Sequence, residues 1–381
     1  MRAFVFTDKA LTRRAGQFVW LSIDTEKAQN AAFMKKYPIR AWPSFYVIDP
    51  VKEAITLRWV GGATVAELGK LFDEEARKTG AGKPSEALAR ADALYSEGKY
   101  AESIPAYQEA LGTISKSARS YPRAVEALLF SLSVAKQQAE CVAVARSAMA
   151  TVRPTAAAAV VAGSGLDCAL KLPADAPGRA GDVAAFEKDA LAVLADPTLH
   201  LVADDRSALY GSLVDAREDA HDAAGAQRLA NEWVAELDRA ALAAKTPEQW
   251  TALDPNRLNA FDAAGQIEKA IPMLEKSAKE FPNDYNPPAR LALVYLKLKR
   301  YDDALAASDQ ALSKVYGPRK LRVLAVRADI YKAMGDEAAV RRTVEEAVSY
   351  ADALPAGQRS EAQVAALRRE LEGLEAASSK Q

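Results

Sequence analysis

Cys141 and Cys168 are the only cysteines of the chain, and His200 and His221 its only histidines. Disulfide exchange starts from a thiolate, and a Cys-x-x-Cys pair is its usual carrier. No cysteine precedes Cys141, so no such dithiol is encoded. A zinc site needs three or four nitrogen and sulfur ligands at short spacings. Two histidines 21 positions apart do not supply them, and His221 beside Asp222 reads as a surface pair near a turn. Cys141 and Cys168 are either two small buried hydrophobes or thiols that approach each other on neighbouring helices. Gly163-Ser164-Gly165 lacks the Lys-Ser/Thr that completes a phosphate loop. Tyr316-Gly317-Pro318-Arg319-Lys320 reads first as a turn between repeats and second as a basic docking tip. No Ser/His/Asp triad can be assembled. The expectation is therefore no catalytic residue, no metal and no cofactor.

Charge and composition narrow the partners. Fifty basic and 51 acidic residues leave a net charge of −1, with no dense Lys/Arg run. That implies no nucleic-acid partner. No apolar stretch approaches the roughly 20 residues that span a bilayer, so no membrane insertion is expected. The N-terminal MRAFVFTDKALTRRAGQ lacks the apolar core of a signal peptide. As encoded, the chain is expected in the cytoplasm; a natural start further upstream with a signal peptide would make it periplasmic or secreted. Half the residues are hydrophobic but only 7% are aromatic, which favours many close helix contacts over one aromatic-rich core.

The elements that could position a binding site are clearest over 284–319. Pro287 and Pro288 suit the first turn of a helix, where a missing N–H loses no bond. Leu291, Tyr295 and Leu298 then share one face. Lys299–Arg300 turns the chain, and Ala304, Leu305, Ser308, Ala311 and Leu312 line the returning helix. Ala292, Ala304 and Ala311 are small where two helices must approach within about 8–10 Å. A second such pair starts at Ser85, with Leu88, Ala91 and Leu94, a turn at Gly98-Lys99-Tyr100, then Ile104, Tyr107, Ala110 and Leu111. Further turns are expected at Gln138, Gly225, Gly265, Lys299 and Gly335; the last four lie 40, 34 and 36 residues apart. Pro105 and Pro272 each follow a turn glycine by seven residues. Gln363 to Leu374 supplies a last amphipathic helix.

These spacings resemble the tetratricopeptide repeat, whose period is about 34 residues. Such units cannot bury their apolar faces alone, so neighbours are required. The resemblance implies a solenoid over 85–375, with 153–200 as a degenerate helical pair and 376–381 as a frayed tail. It also implies that first helices line a groove for a protein or peptide partner. The inward offsets fall on Ser85, Asp92 and Tyr95, then Asp215, Asp219 and Asp222, then Asn259 and Asp262. They continue on Asn286, Leu293 and Leu296, and on Arg322, Asp329 and Lys332. The alternative is a set of solvated helix faces with no partner. The Lys–Asn–Lys–Arg clamp with which some family members seize chaperone C-termini is missing at these offsets.

Residues 1–78 read differently. Phe18–Asp24 suits a buried strand, Lys27–Tyr37 an amphipathic helix, Pro43–Asp49 and Ile55–Val60 two more strands closed by Gly61-Gly62, and Val65–Ala76 a helix. That order, with Tyr37-Pro38-Ile39-Arg40-Ala41-Trp42-Pro43-Ser44-Phe45, resembles the second half of a thioredoxin-like domain over residues 18–78. The resemblance implies a cleft at Trp42, Pro43 and Ser44, with Pro43 cis; an ordinary trans proline at a strand start is the alternative. The family's Cys-x-x-Cys should precede a helix like Arg2–Ala15, where this sequence has none. The favoured explanation is an upstream natural start carrying it; a decayed domain kept for binding or as a cap is the other. Residues 79–84, small and helix-breaking, form the expected boundary.

The expected architecture is thus an α/β thioredoxin-like N-terminal fragment followed by an all-α tetratricopeptide-type helical solenoid. The expected function is a protein-interaction scaffold with a redox-inactive N-terminal fragment. A thiol–disulfide oxidoreductase with an upstream Cys-x-x-Cys, its array selecting the substrate, is the alternative.

Overall fold

The computed structural model describes residues 5–6, 8–12, 14, 16–39, 43–60, 63–76, 86–118 and 120–378. Trp42, Gly61-Gly62, Ser85 and the expected linker 79–84 lie outside the described residues. In chain order the elements are α1 (Lys9–Thr12), a 3-10 turn (Ala28–Asn30), α2 (Ala31–Lys36), β1 (Ser44–Asp49), β2 (Ala54–Val60) and α3 (Val65–Ala76). Next come α4 (Glu86–Ser96), α5 (Tyr100–Thr113), α6 (Ser120–Val134), α7 (Gln138–Val152), α8 (Ala157–Leu170) and α9 (Arg179–Ala195). They continue as α10 (Ala203–Asp219), α11 (Ala223–Ala243), α12 (Pro247–Thr251), α13 (Asp254–Ala263), a 3-10 turn (Ile267–Lys269) and α14 (Ala270–Glu280). The last are α15 (Asn286–Lys297), α16 (Tyr301–Leu312), α17 (Arg319–Met334), α18 (Glu337–Ala353) and α19 (Glu361–Ser378).

By contacts the chain divides into two compact units. The first holds residues 1–19 and 39–264, the second residues 20–38 and 265–381. The stretch 20–38, expected inside the N-terminal domain, packs with the C-terminal helices instead.

In the first unit β1 and β2 form an antiparallel hairpin, Phe45 opposite Trp59, with a register shift after Val47. Asp49 Oδ1 accepts from Val51 N (2.9 Å) and Lys52 N (3.0 Å), which closes the turn. Val5, Leu11, Leu68 and Phe72 are buried together, with Phe18, Phe45, Val47 and Trp59 packed against them. The strand expected over Phe18–Asp24 is not formed: Phe18 makes a single bridge and residues 19–24 join no ladder. Val19 is 88% and Leu21 74% exposed, far from the buried strand expected of them. A strand needs hydrogen-bonded neighbours, and the only sheet among the described residues is the hairpin.

From α4 onward antiparallel pairs repeat. The turns that join α4 to α5, α6 to α7, α8 to α9, α10 to α11, α15 to α16 and α17 to α18 each hold one left-handed residue: Gly98, Lys136, Gly178, His221, Lys299 and Gly335. Such a residue ends a helix and frees the chain to reverse. Two expected turns move accordingly. Gln138 is the first residue of α7 rather than the turn, and Gly225 lies in the first turn of α11. There Asp222 Oδ1 accepts from Gly225 N at 2.8 Å, and a β-carbon on residue 225 would meet that carboxylate. Asp222 is thus a helix cap. Pro272 removes an amide early in its helix, and the chain enters as a 3-10 turn.

Small residues mark the crossings. Ala91, Ala110, Ala124, Ala145 and Ala162 in the first unit, and Ala292, Ala304 and Ala311 in the second, are buried. In the first unit α4 packs on α6, α6 on α8, α8 on α10 and α10 on α13, so first helices neighbour first helices; α15 and α17 do the same in the second. The stretch expected to be degenerate, 153–200, supplies α8 and α9 to this stack. Its pairing depends on Gly165, where a β-carbon would fall 2.5 Å from Cε1 of buried Phe186.

Cys141 on α7 and Cys168 on α8 form a disulfide, both fully buried, with Cα atoms 6.1 Å apart. Of the two readings open in the sequence, the approach of neighbouring thiols is the one realised. With the partners separated by 27 positions in sequence, its loss is expected to destabilise the fold by about 3–4 kcal/mol. Urea unfolding of the Cys141→Ala/Cys168→Ala protein checks this; an unchanged midpoint would contradict it. Gly165→Ala should gain about 1 kcal/mol in helix propensity and lose about 1–3 kcal/mol to overpacking. A net loss is expected, relieved by Phe186→Leu in the same chain.

Candidate functional site

The residues expected to face a partner divide into an interior group and an exposed group. Asp92 is locked. Its carboxylate takes a bidentate pair from Arg123, Nη1 to Oδ1 at 2.8 Å and Nη2 to Oδ2 at 2.7 Å. Tyr107 donates its hydroxyl to Oδ1 at 2.8 Å. Helices α4, α5 and α6 each give one member, and the carboxylate and guanidinium are 8% and 10% exposed. A buried charge needs such compensation. The Arg123 guanidinium also lies over the Trp59 ring at 5.2 Å, and Arg58 donates to Ser96 Oγ at 2.9 Å. These two arginines tie the hairpin to the first helices. Asp92 is therefore an architectural anchor and not a groove ligand.

Tyr95 is also interior. Its ring meets Tyr100 at 5.3 Å, Phe130 at 5.6 Å and Tyr107 at 6.1 Å. Burial pushes the Tyr95 and Tyr107 hydroxyls well above the ordinary tyrosine range. Phe130, which sequence reasoning missed, carries this cluster to the surface at 44% exposure. Asn286 spends its side chain locally: its backbone N and its Nδ2 donate to Asp284 Oδ1 at 2.8 and 2.7 Å, closing the first turn of α15.

The exposed group lies on later helices. In the first unit Asp215 and Asp219 are exposed on α10, and Asn259 and Asp262 are exposed on the adjacent α13. Asp219 pairs with Arg179 at 2.7 Å, and that hydrogen bond holds its carboxyl below the ordinary range. Asp215 is pushed upward, mainly by partial burial, with Lys171 opposing. Asp167 on α8, absent from the expected set, is pushed up by burial and by the Asp215 charge, although a Ser212 hydrogen bond opposes. Its signal lay only in the packing of α8 beside α10. In the second unit Leu293 is half-buried on α15, and Arg322 and Asp329 are exposed on α17, two turns apart on one face.

In the N-terminal part, Pro43 is half-buried and leads into β1, and Ser44 opens the strand. His200 and His221 are exposed and distant in chain position. Among the described residues no group of three His, Cys, Asp or Glu side chains could hold a metal ion, and no helix is long and apolar enough to cross a membrane.

Comparison with known proteins adds a partial assignment. Residues 263–330 match the tetratricopeptide repeat family model. No curated protein matches the chain. A tetratricopeptide repeat protein of Parabacteroides merdae aligns over 76% of this chain and 97% of its own, at 10% identity and TM-score 0.45. An assembly chaperone of RpL4, Acl4, aligns over 78% of this chain and 99% of its own, at 16% identity and TM-score 0.33. Neither score reaches the level from which a shared fold follows.

Arg123→Met leaves the Asp92 carboxylate buried without its counter-charge, so about 3–5 kcal/mol of stability should be lost. Adding Asp92→Asn should recover much of that loss in urea unfolding. A surface role for Asp92 would leave both variants near wild type.

Proposed function

We propose that the chain is a non-enzymatic protein-interaction scaffold whose first helices bind an extended peptide or protein segment. The match of 263–330 to a repeat family whose members bind proteins supports this reading. The observation that carries it is the contrast within the second unit. Ala304, Ala307 and Ala311 on the second helix α16 are spent on packing, whereas Arg322 and Asp329 on the first helix α17 are exposed, and Leu293 on its neighbour α15 is half-exposed. Exposed polar residues of opposite charge on rigid helices can pair a peptide's own charges while an apolar floor takes a side chain.

The thioredoxin-like reading of residues 18–78 enters the same proposal for its hairpin and last helix only, because the strand over Phe18–Asp24 is not formed and residues 20–38 fall in the second unit. Hairpin then helix (β1, β2, α3) is the order that resemblance calls for, and it is the feature that supports the reading. Compartment is a proposal as well. A buried structural disulfide suits an oxidising compartment, which favours export over the cytoplasm.

The test is a peptide array probed with the full chain, followed by calorimetric titration of the strongest peptide. Arg322→Glu with Asp329→Lys should weaken that peptide at least tenfold without moving the melting temperature. Undiminished binding by that double variant would remove α17 from the binding surface.

A further inference from the structure

Within the second unit, the loops joining one helix pair to the next already hold a peptide. Residues 20–38 run against the α16–α17 loop and the α18–α19 loop. Tyr316 donates its hydroxyl to Asp24 Oδ2 at 2.5 Å. Arg319 Nε pairs with Glu26 Oε1 at 2.7 Å. Gln358, 5% exposed, donates from Nε2 to the carbonyl of Thr25 at 3.0 Å. Asp-Thr-Glu is thus read at three successive residues: two acidic side chains and the carbonyl between them.

The backbone is shaped for this segment. Gly317 has φ +60, and a β-carbon there would stand 2.3 Å from the carbonyl oxygen of Glu26. Gly357 is the counterpart in the next loop: a β-carbon would lie 3.0 Å from the carbonyl oxygen of Ala31. Two glycines in successive loops admit one chain where any other residue would push it away. The segment is prepared on its own side as well. Glu26 N donates to Asp24 Oδ1 at 2.9 Å, and Asn30 Nδ2 donates to the Asp24 carbonyl at 2.7 Å. Met34 and Tyr37 are buried behind it. The Asp24 hydrogen bond pushes the Tyr316 hydroxyl up to about 12, as a donor to a carboxylate should be.

We propose that this loop edge is a second recognition surface, separate from the first-helix face, that binds an Asp-x-Glu turn and is occupied in cis by residues 24–26. The occupant is this chain's own stretch. A foreign acidic segment reaches the surface only by displacing it, so occupancy is a switch between a closed and an open loop edge.

The full chain provides the test, read by hydrogen exchange and by a fluorescein-labelled peptide of residues 20–38 added in trans. Glu26→Arg places two cations together, and exchange over 313–319 and 354–360 should rise at least tenfold. That variant, its Arg319 intact, should bind the added peptide; wild type, already filled, should bind it at least tenfold more weakly. Glu26→Arg with Arg319→Glu should restore protection and bind no peptide. Unchanged exchange in the single variant overturns the proposal, as does equal binding of the peptide by wild type and variant. Loss of protection without peptide binding also overturns it, because the contact is then packing without recognition.

Discussion

Close approach of alanine-bearing helices is the constraint on which the rest depends. A two-helix unit that presents Ala91 and Ala110, or Ala292, Ala304 and Ala311, brings backbones together but leaves one apolar face open. Water is excluded from that face only when the next unit lands on it. Succession follows from this need. First helices touch first helices from α4 to α13 in one unit, and α15 touches α17 in the other. Aromatic content is low because wide rings would hold the helices apart. Where a ring does enter, at Phe186, glycine at 165 makes the room.

Polar groups follow a second rule: a charge is either sealed with its partner or left to solvent. Asp92 with Arg123 and Tyr107 is the sealed case, and it joins three helices while Arg123 covers Trp59. Asp215, Arg322 and Asp329 are the open case. The contacts of Asp24 and Glu26 with Tyr316 and Arg319 lie between these limits, half-exposed and charge-assisted. Bonds of that kind hold a segment in place and still exchange with competitors, because water can replace each partner.

Much of the array was legible in residue order. Pro287-Pro288, the alanines at helical spacing and the glycines at 98, 265 and 335 state where helices start, cross and stop, because each acts on its own backbone or one turn away. The expected turns at Gln138 and Gly225 were displaced by a few residues because lysine and histidine, with no glycine signal, hold the left-handed positions 136 and 221. The groove set was legible as a periodic list but not as a site. Helical offset fixes which way a residue points and says nothing about what stands opposite, so Asp92 and Tyr95 were counted with the exposed residues.

The sequence by itself determined the helical pairs, their turns and the absence of an encoded Cys-x-x-Cys, since all of these are properties of near neighbours along the chain. Tertiary structure alone decided that Cys141 joins Cys168, that Asp92 is sealed by Arg123, and that residues 20–38 leave the hairpin for the loops at 316 and 357. Each of these is a meeting of distant residues. Its free energy depends on which surfaces the stacked helices bring together, and no local pattern encodes that.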